Sequence, residues 1–230
     1  MTTDPIGSNI TKVLEEVRAA TEFSSRPFES VRVLAVSKTK PAEAVRAAHS
    51  AGLTEFGENY LQEAVEKIEA CRDLDLTWHF IGPIQSNKTR PIAENFQWVQ
   101  SVDRSKILRR LAEHRSDELP PLNVCIQVNI SGEASKSGCE PEELDALLAE
   151  AAALPSLQLR GLMAIPAPAE TFDAQKKAAD SLATLFEAAR ERYPSMDTLS
   201  IGMSSDLRAA IAAGSTMVRI GTAIFGARDR

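Results

Sequence analysis

The chain has little cysteine. There are three in 230 residues, Cys71, Cys125 and Cys139, and neither a CxxC pair nor an HExxH run occurs. Cysteines that are odd in number and widely spaced make no disulfide framework and no structural zinc site, so a reduced cytoplasmic protein without a structural metal is expected. Cys125 reads as a small hydrophobe inside a strand. No apolar run reaches the ~18–20 residues that span a bilayer. The opening Met1-Thr-Thr-Asp-Pro-Ile6 has neither the basic nor the apolar region of a signal peptide, and none is expected. A surplus of positive charge is missing too. The net charge of −6 argues against nucleic acid or an anionic membrane as the main partner. Low-complexity tracts, repeats of 20–50 residues and a linker between two halves are all absent, so residues 1–230 are expected to form one domain. At 43% hydrophobic, that length can bury a large core.

What is present is a regular alternation. Short β-rich runs fall at Val31–Ser37, Glu55–Gly57, Trp78–Ile81, Trp98–Val102, Asn123–Ile130, Gln158–Ala164, Thr198–Gly202 and Met217–Gly221. Segments of helical periodicity lie between them: Pro41–Ala51, Asn59–Arg72, Asn87–Asn95, Arg104–Arg115, Pro141–Leu154, Phe172–Arg192 and Ser204–Ala213. Another, Ser8–Glu22, precedes the first strand. Strands alternating with helices predict a parallel sheet, and strands apolar on both faces agree with one covered by helices. Eight such units predict a single (β/α)8 TIM barrel with an extra N-terminal helix and a parallel eight-stranded core. A doubly wound open sheet is the alternative. It requires that Glu55–Gly57 and Trp98–Val102 not be strands.

Two features at opposite ends of the chain carry chemistry. The first strand runs into Lys38. Side chains alternate along a strand, so if Leu34 and Val36 point into the barrel, Lys38 does too, at the C-terminal face where barrel active sites lie. A neutral amine there attacks carbonyls; the plainer reading is a solvated loop lysine, and Lys40 competes for the role. The second feature is Gly202-Met-Ser-Ser-Asp206 with Arg219-Ile-Gly-Thr222. Ser204 or Ser205 suits a helix N-cap, and a helix start also receives phosphate. Gly221 and Thr222 follow the eighth strand, and barrels often hold phosphate on the loops after strands seven and eight. A lysine amine facing a phosphate cradle suits an aldehyde phosphate, pyridoxal 5′-phosphate above all. Arg219, among apolar neighbours, needs an acceptor: a salt bridge across the barrel floor or rim, or a ligand atom deep in the mouth. Asn59 either caps a helix or lines the mouth. His79 is either a hydrogen-bonded core residue or a lining residue. Lys136 either belongs to a mobile surface loop or reaches the mouth.

Taken in order, Ala35-Val-Ser-Lys-Thr-Lys40, Phe56-Gly-Glu-Asn-Tyr60, Trp78-His-Phe-Ile-Gly82, Gln85-Ser-Asn-Lys88, Val128-Asn-Ile-Ser-Gly132, Lys136-Ser-Gly138, Gly161-Leu-Met163, Leu199-Ser-Ile-Gly-Met-Ser-Ser-Asp206 and Val218-Arg-Ile-Gly-Thr222 through Phe225-Gly-Ala-Arg-Asp229 resemble the pyridoxal-phosphate homeostasis proteins over nearly the whole chain. The resemblance implies an alanine-racemase-like barrel that binds pyridoxal 5′-phosphate. It implies Lys38 as the Schiff-base lysine and Ser204, Ser205, Gly221 and Thr222 as phosphate-binding residues. It further implies Arg219 opposite the pyridine nitrogen and Asn59 and Met163 near the ring. His79 and Lys136 remain further lining candidates.

The implied activity is maintenance of intracellular pyridoxal phosphate by buffering and delivery to apo-enzymes, with little or no catalysis. An arginine donating to the pyridine nitrogen keeps it unprotonated and weakens the electron sink. A racemase needs a second base, which alanine racemases take from a separate domain. Here the chain ends just after strand eight, and Tyr60 and Tyr193 are its two tyrosines. The alternatives are a low-activity pyridoxal-phosphate-dependent amino-acid racemase and a phosphosugar barrel enzyme using Lys38 without a cofactor. A monomer is expected.

Overall fold

The computed structural model describes residues 5–132 and 137–227. Eight parallel strands close into a barrel in chain order: β1 (Arg32–Val36), β2 (Glu55–Glu58), β3 (Thr77–Phe80), β4 (Trp98–Val102), β5 (Leu122–Gln127), β6 (Leu157–Met163), β7 (Thr198–Ser200) and β8 (Met217–Ile220). The barrel closes where β1 pairs with β8, with Leu34 opposite Arg219. Because β2 and β4 are true strands, the open-sheet alternative is excluded.

The helices are α1 (Pro5–Phe23), α2 (Ala42–Ser50), α3 (Leu61–Ala70), α4 (Thr89–Asn95), α5 (Ser105–His114), α6 (Leu144–Ala153), α7 (Phe172–Arg192), α8 (Leu207–Ala212) and α9 (Thr222–Phe225). The long α7 occupies the span its periodicity predicts. Thr171 caps it by accepting from the Ala174 N–H at 3.3 Å. The last helix, α9, has no counterpart in the sequence reading, because four residues carry no periodicity to detect.

The helix expected from Ser204 starts later, at Leu207, and neither serine is its N-cap. Asp206 holds that position, and its Oδ1 accepts from the Met203 N–H at 2.6 Å. The acid thus closes a turn over residues 203–206 and leaves both serines in the loop.

Strand alternation divides the core. Outward side chains such as Ala35, Phe56 and Val99 pack under the helices in one large cluster. Inward ones form separate groups inside the barrel: Leu34, Val36, Ile81 and Met217 in one, Trp98, Cys125 and Met163 in the other. Two glycines are imposed by close approach. A Cβ on Gly161 would lie 1.6 Å from the Thr198 carbonyl oxygen, and one on Gly82 would lie 2.2 Å from that of Asn59. Cys125 is fully buried, and burial pushes its thiol up to about 12, as for an inert core cysteine. All three cysteines are free, and no helix among the described residues is long and apolar enough to cross a membrane.

Candidate binding site at the barrel mouth

A cavity of about 340 Å³ opens at the C-terminal ends of the strands, within the size range of small-molecule sites. Lys38 lines it from the turn after β1. Ser204 and Ser205 border it from the β7–α8 loop, Gly221 and Thr222 from the end of β8, and Arg219 forms part of its lining. Asn59 stands on the β2 side. Val36, Ile81, Ile165 and Met203 supply the apolar walls.

The turn that presents Lys38 is held from behind. Thr39 has φ +64°, a conformation that costs a β-branched residue roughly 1–3 kcal/mol. Its N–H donates to Glu63 Oε1 at 2.5 Å. Lys67, 5% exposed, donates to the Ser37 carbonyl at 2.7 Å and to Glu58 Oε1 at 2.6 Å. The Ser37 hydroxyl donates to the same Glu58 oxygen at 2.6 Å. Burial raises the Glu58 carboxyl above its ordinary value in spite of Lys67. The residues on both sides of Lys38 are therefore anchored. Lys40 is placed differently: its Nζ donates to the Ala227 carbonyl at 2.7 Å, and it borders a small adjoining recess instead.

Arg219 is buried between β6, β7 and β8. Its Nη1 donates to the Ser200 carbonyl and to Ser200 Oγ, each at 2.8 Å, and its Nη2 donates to the Ala164 carbonyl at 2.8 Å. These bonds use three of the five N–H donors of a guanidinium. Burial lowers Arg219 to about 10, so it remains a cation at neutral pH.

The sequence-nominated residues divide into two groups. Lys38, Asn59, Ser204, Ser205, Arg219, Gly221 and Thr222 meet around one cavity. Met163 and His79 lie deeper and do not line it. Met163 packs with Trp98 and Cys125. His79 is wholly buried, stacks on Trp98 with ring centroids 5.1 Å apart, and takes a hydrogen bond at Nδ1 from Gln100 Nε2 at 2.9 Å. Both are 0% exposed, and Ala164, next to Met163 in the chain, gives its carbonyl to Arg219 Nη2. Lys136 lies outside the described residues.

The sequence reading missed Ile165 and Met203, both partly exposed on the cavity wall. Their adjacency to Pro166 and Ser204 was the available signal. It also missed Lys67, whose spacing from Ala64 puts both on the buried face of α3. Wider grooves exist, including one of about 520 Å³ beside residues 115–121. There Arg115 is committed to the carbonyls of Ala93, Phe96 and Pro120, and no cluster of donors converges.

Several features fit a flat aromatic aldehyde bearing a phosphate. Asn59 Oδ1 is buried without a hydrogen-bond partner at the cavity edge. The hydroxyls of Ser204 and Ser205 have no protein partner among the described residues, and two N–H groups of Arg219 are likewise uncommitted. A Cβ on Gly221 would crowd the Val36 carbonyl at 3.2 Å, so the glycine keeps the backbone open at that rim.

Comparison with known proteins agrees. Residues 10–229 match the family "alanine racemase, N-terminal domain". The chain is 61% identical to a pyridoxal phosphate homeostasis protein of Pseudomonas aeruginosa over 97% of this chain and 96% of that one. It is 55% identical to the protein of the same name from Escherichia coli, covering 97% of each. Among solved structures, PipY of Synechococcus elongatus with pyridoxal phosphate bound superposes with a TM-score of 0.83 at 35% identity, over 96% of this chain and 100% of that chain. Alanine racemase from Corynebacterium glutamicum shares the fold, with a TM-score of 0.69 at 16% identity, over 99% of this chain and 61% of that chain. The chain belongs to the pyridoxal phosphate homeostasis protein family, built on the alanine racemase N-terminal domain.

Proposed function

We propose that this protein binds pyridoxal 5′-phosphate in the mouth cavity, retains it through Lys38, and serves to buffer and deliver it with little or no catalysis. The observation that carries this reading is the convergence on one cavity of an amine, Lys38, a buried cation with uncommitted donors, Arg219, and two hydroxyl- and glycine-bearing loops. When bound, the cofactor supplies an aldehyde that condenses with amines and a ring that accepts electrons.

Each residue then has a role. Lys38 is the amine that holds the aldehyde carbon. Ser204, Ser205 and Thr222 offer hydroxyl donors to phosphate, and Gly221 allows the backbone to approach. Arg219 donates toward the ring nitrogen and, remaining cationic, opposes its protonation. Asn59 contributes a polar contact at the ring edge. Met163 and His79, buried and outside the cavity lining, act on the ring only indirectly.

The cavity composition favours a carrier over an enzyme. Among the described residues that border it, Lys38 and Arg219 are the ionisable ones. Tyr60 is half exposed and Tyr193 packs at the end of α7; neither borders the cavity. The described lining residues thus offer no second acid–base group, a contribution worth roughly 10²–10⁴-fold. This reading takes residues 1–230 as one domain, monomeric and cytoplasmic, that hands its ligand to apo-enzymes dependent on pyridoxal phosphate. Lys40, two residues from Lys38, and Lys136 serve as transient acceptors during transfer. An unchanged transfer rate on replacing both lysines would remove that part.

The test is borohydride reduction of the reconstituted protein followed by peptide mass spectrometry, in wild type and Lys38→Ala. A phosphopyridoxyl group on Lys38, absent from that position in the variant, is expected. Adducts scattered over surface lysines in wild type would sink the reading. Steady formation of a D-amino acid above the free-cofactor background would replace the carrier with a racemase.

A further inference from the structure

A chain of buried polar groups runs from the cavity into the barrel. Arg219 Nη1 donates to Ser200 Oγ at 2.8 Å, the Ser200 hydroxyl donates to Gln100 Oε1 at 2.6 Å, and Gln100 Nε2 donates to His79 Nδ1 at 2.9 Å. His79 Nε2 then lies 3.1 Å from Glu55 Oε2, off the line of an ideal hydrogen bond. Glu55 also meets Arg32 Nη1 at 3.3 Å, near the barrel floor. Ser200, Gln100 and His79 are each 0% exposed. The donors all point one way, from a cation at the mouth to a carboxylate near the floor.

That direction leaves few alternatives. An imidazole that accepts at Nδ1 carries its proton at Nε2, facing Glu55. Turning the Gln100 amide over would set Oε1 against His79 Nδ1, take from the Ser200 hydroxyl the oxygen that receives its proton, and turn the unprotonated Nε2 of the other tautomer toward the Glu55 carboxylate. The amide orientation, the serine proton and the histidine tautomer are mutually fixed. From Arg219 to His79 Nδ1 each contact in this chain is a hydrogen bond, and such buried chains are rigid.

We propose that Gln100 is a positioning residue for the binding site. Through Ser200 it saturates Nη1 of Arg219 and fixes the guanidinium plane, so that the remaining donors suit a ring presenting a nitrogen acceptor. The proposal rests on the reading of the cavity as a pyridoxal phosphate site. His79 takes part by accepting from the Gln100 amide, which gives a buried histidine outside the cavity a role in ligand choice.

The test compares two ligands: pyridoxal 5′-phosphate and its carbocyclic analogue with C–H in place of the ring nitrogen. Affinities are measured for wild type, Gln100→Met, Ser200→Ala and the double variant. Wild type is expected to prefer the nitrogen-bearing ligand. Each single variant loses about three- to tenfold affinity for it, as for one hydrogen bond, and stays within about twofold of wild type for the analogue. The double variant resembles the singles, because both cut the same chain. In the unloaded protein, ¹⁵N NMR of His79 should show the Nε2–H tautomer in wild type and a changed tautomer balance in Gln100→Met, a readout independent of ligand.

Wild type binding neither ligand would overturn the site reading itself. Equal binding of both by wild type would remove the role given to Arg219 and this proposal with it. Preserved discrimination in the single variants would overturn this proposal alone. If Gln100→Met does not fold, Ser200→Ala carries the same expectation.

Discussion

Lys67 Nζ lies 2.6 Å from Glu58 Oε1, and this ion pair is almost sealed from water beneath the turn that carries Lys38. A second carboxylate, Glu63, stands 2.6 Å from the same amine and also receives the Thr39 N–H. Replacing one partner leaves a buried charge unmatched, which typically costs about 3–5 kcal/mol. Lys67→Met should therefore lower the urea midpoint strongly, and Lys67→Met with Glu58→Gln should recover part of the loss. A double variant as unstable as the single would show that packing, not charge, governs the site.

Acid should weaken the fold partly through His79. Burial holds its imidazole below the ordinary 6.5, although Glu55 pulls the other way. The unfolded chain therefore binds a proton first as pH falls below 6.5, and stability declines from there toward the lowered folded value. Glu58, raised by burial, has the opposite sign: folding takes up its proton at pH values above the ordinary 4.5. The useful measurement is thus a difference. Urea midpoints of wild type and His79→Phe, taken from pH 7.5 to 5.0, should show a shallower acid loss in the variant. Parallel profiles would exclude His79 as the cause.

Gly82→Ala probes the rim. The added Cβ would fall 2.2 Å from the Asn59 carbonyl oxygen, so the β2–α3 segment must move. A cost of about 1–3 kcal/mol is expected, together with weaker retention of pyridoxal phosphate because Asn59 moves with the segment. Thermal melts with and without ligand separate the two effects. An unchanged ligand-induced rise in Tm would mean that Asn59 contributes nothing to binding.

Asp206→Ala removes the acceptor that closes the turn around Ser204 and Ser205. Stability should drop by about 1 kcal/mol and phosphate affinity by several-fold, whereas Asp206→Asn, which retains an Oδ1 acceptor, should stay close to wild type. Equal losses in both variants would point to the charge, which also favours the protonated Arg219.

Much of the architecture is legible along the chain because each unit is short and its signals are local. Residues 172–192 show a full helical period and a threonine cap, and the strand positions follow apolar runs bounded by turns. The parity of Leu34, Val36 and Lys38 is sufficient to put the lysine on the inward side. Local signals fail for α9, which is too short, and for the Ser204–Asp206 turn. There, three adjacent residues are all good caps, and only the reach of Asp206 back to Met203 selects one.

Local pattern along the chain sets the alternation of strands and helices, the inward side of the first strand and most of the polar residues at the mouth. These follow from periodicity and from glycine and hydroxyl residues at strand ends. The tertiary structure alone decided depth and partnership. It buried His79 and Met163 away from the cavity lining, tied Lys40 to Ala227, and buried Lys67 beneath the turn of Lys38. The physical reason is that barrel closure fixes the stagger between strands. Residues far apart in sequence share a layer only after all eight strands are in register, and no local pattern encodes that height.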